Sequence, residues 1–157
     1  TSDLFKKYKT IEDYAEADLS EFEKDISKIN YYKTKAKNII ESAQIIVEKF
    51  NNQVPQTMEE MLELKGVGRK TANVILSNAF HKDYGIVVDT HVKRFSLMYH
   101  LTNYPDPLKI EQDLMKIVPQ KEWREFSLRL ISYGRDYCPN RPHDHQNCPL
   151  EKALNKV

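Results

Sequence analysis

The stretch LKGVGRKTANVILSNAF, residues 64–80, decides the fold of this chain of 157 residues. Gly66 and Gly68 bracket a single valine between two segments of helix-forming residues. Glycine adopts backbone angles that are closed to other residues, and it leaves no side chain between a phosphate and the amides that open the next helix. Lys65 and Arg69 add positive charge on both sides of the turn. We therefore predict a turn between two helices that holds a nucleic-acid backbone, with an ordinary turn and a solvated basic rim as the alternative.

The remaining sequence predicts an all-α fold. Apolar residues between positions 33 and 50 recur every three or four residues, which is typical of an amphipathic helix; they are Ala36, Ile39, Ile40, Ala43, Ile46, Val47 and Phe50. Further helices are expected at residues 68–80, 90–101, 108–118 and 122–134. Strand-like alternation is confined to residues 86–88. Three helix starts are predicted from a Ser or Thr followed three residues later by an acid: Thr10 with Asp13, Ser20 with Glu23, and Thr57 with Glu60.

Composition excludes several classes of protein. No apolar run approaches the roughly 20 residues of a membrane span, and no signal peptide is recognised, so we expect an intracellular protein of the cytoplasm, nucleoid or nucleus. Two cysteines, Cys138 and Cys148, are too few for a disulfide-rich secreted fold. The 24 basic against 23 acidic side chains leave a net charge of +1, so the charge balance alone does not indicate nucleic acid.

Three motifs carry a resemblance to a known family. The motifs are LKGVGRKTA at residues 64–72, VVDTHVKRF at 87–95 and YYKTKAKNI at 31–39. They resemble segments of the endonuclease III family of helix-hairpin-helix DNA glycosylases. The likeness runs from about Leu4 to about Cys148. It implies part of a helical barrel with the helix-hairpin-helix motif over residues 1–84 and a C-terminal helical lobe over residues 85–157.

The resemblance implies a catalytic pair, Lys70 as the nucleophile and Asp89 as the carboxylate. Relatives that remove bases without cutting the strand carry a different residue at the lysine position, so Lys70 points to a bifunctional glycosylase and AP lyase. An amine that attacks C1′ and forms an imine permits β-elimination of the 3′ phosphate. Oxidised pyrimidines are the substrates that the family implies. In isolation, Asp89 would be read as a helix N-cap and Lys70 as a surface lysine.

The DNA contacts are predicted from the same likeness. Tyr31 falls where family members place a side chain that wedges into the opened duplex, although a residue packed at a helix corner is the alternative. Lys33 and Lys35 would reach phosphates. The remaining predicted contacts are those of the hairpin and the second motif: Lys65, Gly66, Val67, Gly68, Arg69, Thr71 and His91.

The C-terminal loop departs from the family pattern. Many members hold a [4Fe-4S] cluster with four cysteines spaced Cys-x6-Cys-x2-Cys-x5-Cys, but here the second and fourth positions are His145 and Leu154. We predict no cluster and no other cofactor, with a remnant loop as the simplest account. Cys138, His143, His145 and Cys148 form an alternative zinc-binding set. A Cys138–Cys148 disulfide is less favoured in a reducing cell.

Family members also carry about two helices before the point at which the likeness begins. We therefore expect a fragment, one part of a split protein, or a short member whose core is completed by a partner chain or by self-association. Two functions follow. The first is an enzyme that acts on double-stranded DNA with a damaged base or an abasic site. The second is a non-catalytic helix-hairpin-helix module that only binds DNA.

Overall fold

The structure, a computed structural model, describes residues 2–154, with side chains from residue 3 onward. No strand occurs within that range, so the predicted all-α fold is confirmed. No helix in it combines the length and the apolar character that a membrane span requires. The helices are α1 (Ser2–Lys7), α2 (Ile11–Ala15), α3 (Leu19–Asp25), α4 (Tyr32–Phe50), α5 (Met58–Met61), α6 (Arg69–Phe80), α7 (Thr90–Met98), α8 (Pro107–Ile117), α9 (Trp123–Asp136) and α10 (Pro149–Leu154).

Two of the three predicted helix starts are confirmed. The Thr10 hydroxyl accepts from the Asp13 amide, and the Asp13 carboxylate accepts in return from the Thr10 amide, which completes a capping box before α2. The Thr57 hydroxyl accepts from the Glu60 amide at the start of α5. The prediction at Ser20 is wrong because Asp18 caps α3, which places Ser20 inside the helix.

The chain forms two compact units, and the division falls after Ala72, within α6. In the first unit, α2 and α3 pack on α4. Tyr8 and Phe22 meet edge to face with ring centroids 5.1 Å apart. The core of this unit comprises Tyr8, Phe22, Ile26, Ala36 and Ile40. The functional division predicted between residues 84 and 85 stays a prediction.

In the second unit, α7 packs against α8 and α9. The contact with α9 is close because Gly134 has no side chain, so the ring of His91 occupies the space where a β-carbon would stand. One core cluster comprises Ile86, Val88, Val92, Ile110, Leu114 and Trp123. A second cluster joins Phe95 of α7 to Cys138 and Cys148 of the C-terminal loop.

The irregular segment at residues 85–88, which precedes α7, contacts both α8 and α9. Glu111 of α8 is buried, accepts a hydrogen bond of 3.1 Å from Asn73, and fills the space beside Gly85. Ser127 of α9 donates from its hydroxyl to the Val87 carbonyl at 3.0 Å. The chain therefore enters α7 along a defined path, which fixes the residue that caps this helix.

Candidate functional site

The hairpin loop rests on α4. Gly66 has a positive φ of 74°, and the amide group of Asn38 stands where its β-carbon would be. Ser42 donates from its hydroxyl to the Lys65 carbonyl at 3.0 Å, and the Val67 amide closes the turn onto the Leu64 carbonyl at 3.2 Å. Only glycine meets both conditions at position 66 without strain. The loop is therefore held in one conformation by one face of α4.

The second helix of the hairpin begins directly after this loop. The Gly68 carbonyl accepts from the Ala72 amide at 2.9 Å, so α6 starts at Arg69. A β-carbon on Gly68 would meet no atom within 4 Å, which leaves the approach to this helix start open. Lys70 and Thr71 lie exposed in the first turn. A helix start offers outward-facing amides and a partial positive charge to an anion.

Tyr31 lies immediately before α4 and has an unusual backbone conformation. Its backbone is left-handed, with φ of 59° and ψ of 31°, and its side chain makes no capping bond. The residue is 83% exposed, so the aromatic ring packs against little of its own chain. Such a conformation costs a non-glycine residue free energy. Lys33 and Lys35 follow in the first turn of α4, and both are exposed.

An open groove runs between α4 and the hairpin within the first unit. Its volume is about 510 Å³, and Lys35, Lys65, Gly66 and Val67 line it together with apolar residues that include Ile39. Two of the predicted phosphate-binding lysines therefore border the same groove.

Asp89 is the N-cap of α7. Its Oδ1 accepts from the backbone amides of His91 and Val92, both at 2.9 Å. These two bonds fix the orientation of the Asp89 carboxylate at the start of α7. The ring of His91 packs on Gly134, which gives it a structural role, and its contact with DNA stays a prediction. Lys70 lies in the first compact unit and Asp89 in the second.

The C-terminal loop gathers four potential metal ligands. One ligand atom each from Cys138, His143, His145 and Cys148 lies within 4.8 Å of the others. Cys138 Sγ is 3.5 Å from His145 Nδ1, and Cys148 Sγ is 3.2 Å from His143 Nε2. Both cysteines are buried, and burial raises the pKa of the Cys148 thiol. The four residues that formed the alternative zinc set in the sequence thus come together.

Known proteins match this chain along most of its length. Residues 1–120 match the HhH-GPD superfamily of base excision DNA repair proteins. Endonuclease III of Synechocystis sp. is 47% identical over 150 residues, which cover 96% of this chain and 68% of the relative. Endonuclease III of Bacillus subtilis is 42% identical over 151 residues, with the same two coverages. The chain belongs to the endonuclease III family.

Solved structures agree with this membership. A trapped covalent intermediate of endonuclease III with DNA is similar, with a TM-score of 0.89 and 39% identity, over 99% of this chain and 76% of the other. A non-covalent endonuclease III–DNA complex matches equally well. As an endonuclease III family member, the protein is a base-excision DNA glycosylase with AP lyase activity.

The sequence did not indicate every residue that shapes this endonuclease III family site. Asn38 and Ser42, which hold the hairpin loop, were hidden among the polar residues of an amphipathic helix. Arg94 donates from Nη1 to Cys138 Sγ at 3.4 Å, and Glu151 lies 3.3 Å from His145 Nε2. Arg94 and Cys138 lie 44 residues apart, and although Glu151 follows His145 by six residues, no local pattern indicates either contact.

Proposed function

We propose that this chain removes oxidised pyrimidine bases from double-stranded DNA and then cleaves the strand, with Lys70 as nucleophile and Asp89 as the catalytic carboxylate. The observation that carries the proposal is the position of Lys70. It lies exposed in the first turn of α6, directly after a loop whose conformation depends on Gly66. A primary amine at that place can reach a sugar whose flanking phosphate is held by the helix start.

The reaction balances with these groups. The uncharged Lys70 Nζ attacks C1′ of the damaged nucleotide, and the base leaves with the electrons of the glycosidic bond and with a proton. Loss of a proton from the nitrogen and opening of the sugar ring give an imine between Lys70 and C1′. Removal of a proton from C2′ then breaks the C3′–O bond, and the phosphate departs with its electrons. Water hydrolyses the imine and restores the lysine.

Asp89 supports this chemistry through one oxygen. Since Oδ1 is engaged by two backbone amides, the carboxylate is oriented and its Oδ2 is the atom that can act. It can accept the proton that the amine loses, or stabilise positive charge on the sugar as the base departs. The cap and the catalytic role therefore use different oxygens of the same side chain.

DNA binding is proposed for two surfaces of the first unit. The hairpin offers the outward-facing amides of α6 with Lys65, Arg69 and Thr71, which would hold phosphates irrespective of sequence. The exposed ring of Tyr31 would fill the space left by the extruded base. The strain of its left-handed backbone is accounted for if the ring must project from the protein to do this.

Borohydride trapping tests the proposal. Reduction of the imine on a duplex with one abasic site should give a covalent adduct with the unaltered protein and none with Lys70→Ala or Lys70→Arg. Lys70→Arg keeps the charge, so it should bind the duplex with nearly the affinity of the unaltered protein. Lys65→Ala is the matched control, because it weakens binding but should still be trapped at saturating protein.

Two results would count against the proposal. Trapping of Lys70→Arg would assign the imine to another amine. Binding of the duplex without trapping or base release by the unaltered protein would favour the non-catalytic DNA-binding module. Base specificity is tested separately, by comparing release of oxidised pyrimidines with release of oxidised purines from otherwise identical duplexes.

A further inference from the structure

The C-terminal loop carries a compact set of soft and borderline metal ligands that the DNA chemistry does not use. We propose that Cys138, His143, His145 and Cys148 bind one zinc ion, which replaces the iron–sulfur cluster of related proteins as the structural centre of this lobe. Two thiolates and two imidazoles are a donor set typical of structural zinc. The inference is independent of the proposed base specificity and of the role of Lys70.

The distances fit a single ion. With bonds of about 2.3 Å to sulfur and about 2.0–2.1 Å to nitrogen, a tetrahedral zinc sets a sulfur and a nitrogen about 3.6 Å apart. Cys138 Sγ and His145 Nδ1 are 3.5 Å apart, and Cys148 Sγ and His143 Nε2 are 3.2 Å apart. All four ligand atoms lie within 4.8 Å of one another, so small movements bring them onto one centre.

Each histidine is oriented by a contact of the ring nitrogen that faces away from the sulfur atoms. His143 Nδ1 lies 2.9 Å from the Arg141 carbonyl oxygen, and His145 Nε2 lies 3.3 Å from Glu151 Oε2. An acceptor at that position fixes the proton there, which leaves a lone pair on the nitrogen that faces the sulfurs. Carbonyl or carboxylate partners on the remote nitrogen are the usual support of a metal-binding histidine.

The two cysteine sulfur atoms are buried, and a positive charge lies beside one of them. Cys138 and Cys148 are 0% and 3% exposed, and both pack against Phe95 of α7. A buried thiolate is unfavourable without a positive partner. Arg94 Nη1 supplies one such partner at 3.4 Å from Cys138 Sγ, and a zinc ion would neutralise both sulfurs. The Tyr99 hydroxyl is buried and has no hydrogen-bond partner among the described residues, and the centroid of its ring lies 6.4 Å from that of His145.

An iron–sulfur cluster of the family type does not fit these residues. That cluster is held by four thiolates, and the chain supplies two. The position of the fourth ligand is taken by Leu154, a hydrocarbon side chain that is 51% exposed in α10. A four-iron cluster also places a different iron at each ligand, which separates the ligand atoms more widely than a single ion does. The lack of two cluster cysteines and the short distances between the four ligand atoms therefore both favour a single zinc ion over an iron–sulfur cluster.

A zinc ion here would be structural. Four protein ligands leave no open coordination position for water or substrate. The loop that carries them has little regular structure, with a single short turn at His145–Asn147 before α10. Binding the ion would tie the end of α9 to the start of α10 and hold both against α7.

Metal analysis of the purified protein is the first test. After expression in medium with both zinc and iron, elemental mass spectrometry should find about one zinc per chain, with neither iron nor inorganic sulfide in stoichiometric amount. Reconstitution of the metal-free protein with Co²⁺ should give the visible ligand-field bands of a tetrahedral site and thiolate charge-transfer bands. Removal of zinc by a strong chelator should lower the melting temperature.

Variants of residues outside the buried core test the site without removing core side chains. His143→Asn removes one ligand from an exposed position and should lose the zinc and change the Co²⁺ spectrum. His100→Asn is the matched control, since this exposed histidine lies outside the loop. Glu151→Gln should weaken zinc binding roughly 10–100-fold because it disturbs the orientation of His145. Glu125→Gln on the exposed side of α9 should leave zinc affinity unchanged.

Three outcomes overturn the proposal. Iron with inorganic sulfide would restore a cluster despite the missing cysteines. Protein that carries no zinc, takes up no Co²⁺ and has two titratable thiols or a disulfide would reduce the site to thiol–imidazole contacts. Zinc bound equally by His143→Asn and the unaltered protein would place the ion elsewhere.

Discussion

The amide group of Asn38 occupies the space in which a side chain on Gly66 would lie. The two residues belong to α4 and to the hairpin loop, and Ser42 adds a hydrogen bond to the Lys65 carbonyl one turn farther along α4. The conformation of the loop is thus set by contacts with another helix as well as by the glycine itself.

Gly66→Ala should destabilise the protein. The substitution places a β-carbon against Asn38 and forces a left-handed backbone on a non-glycine residue, so the free energy of unfolding should fall by about 1–3 kcal/mol. Urea denaturation measures the change. Gly68→Ala is the matched control, because its β-carbon would enter open space, and its stability should change by less than about 1 kcal/mol. Equal losses in the two variants would contradict the role of Asn38.

Asp89→Asn should keep the helix cap of α7 but remove the catalytic carboxylate. Asparagine caps helices about as well as aspartate, so the free energy of unfolding should change by only about 0.5 kcal/mol. Loss of the carboxylate should slow base release by about 10²–10⁴-fold. Single-turnover excision and thermal unfolding measure the two effects. Asp106→Asn alters the equivalent cap of α8 and should change neither the rate of excision nor the stability. Unchanged excision in Asp89→Asn would show that Asp89 is only a helix cap.

Tyr31→Asn should weaken base extrusion without loss of stability. Asparagine tolerates the left-handed backbone better than tyrosine, and the ring is 83% exposed, so unfolding should be unchanged or slightly less favourable. Binding to duplex with a damaged base should weaken by about 1–3 kcal/mol because a stacked ring is lost. Tyr104→Asn, at a tyrosine that is 47% exposed in the other unit, serves as control. Unimpaired binding by Tyr31→Asn would argue against the wedge.

Acid should weaken an ion-pair network in the first unit. The Lys7 amine lies 2.6 Å from both Glu21 and Asp25, and Tyr8 donates to Asp25 at 2.9 Å. The hydrogen bond from Lys7 holds the pKa of Asp25 below its ordinary value, and those carboxylates raise the pKa of Lys7. The contribution of Asp25 is therefore present above a pH of about 4 and is lost as pH falls below it, whereas that of Lys7 is lost only in strong alkali.

Lys7→Gln tests this network. The variant should show a smaller decrease of the urea midpoint than the unaltered protein between about pH 5 and pH 2. Lys6→Gln removes a neighbouring exposed lysine that pairs only with Asp3 among the described residues, and its pH dependence should match that of the unaltered protein. Identical curves for Lys7→Gln and Lys6→Gln would show that the network has no effect on acid stability.

Local sequence patterns predicted the helices well. The helix expected at residues 33–50 is α4 (Tyr32–Phe50), and those expected at 68–80 and 108–118 are α6 and α8 within one residue at each end. Such helices carry their own apolar periodicity, and in α8 the Asp106 side chain adds a cap. The start predicted at Ser20 failed because Asp18, two residues earlier, competes for the same amides and forms the cap.

The supporting contacts could not be predicted because they join distant segments. Nothing in the sequence near Asn38 indicates Gly66, and nothing near Arg94 indicates the loop with the two cysteines. Glu151 lies only three residues after Cys148, but no local pattern pairs it with His145. The spacing of Cys138, His143, His145 and Cys148 is not that of a standard zinc finger, so only the fold shows that their ligand atoms converge. The sequence suggests the candidate reactive groups, whereas the packing of distant segments determines how they are held.

The attachment of the hairpin to α4 has a mechanical consequence. Tyr31 precedes the first turn of this helix, and Asn38 and Ser42 hold the loop from its next turns. With a rise of about 1.5 Å per residue, Tyr31 and Asn38 lie about 10 Å apart along the helix axis. That length is close to three nucleotides of a DNA strand, at about 3.4 Å each. If Tyr31 and the hairpin contact DNA as proposed, α4 sets the distance between these two contacts, and a kink within the helix would change that distance.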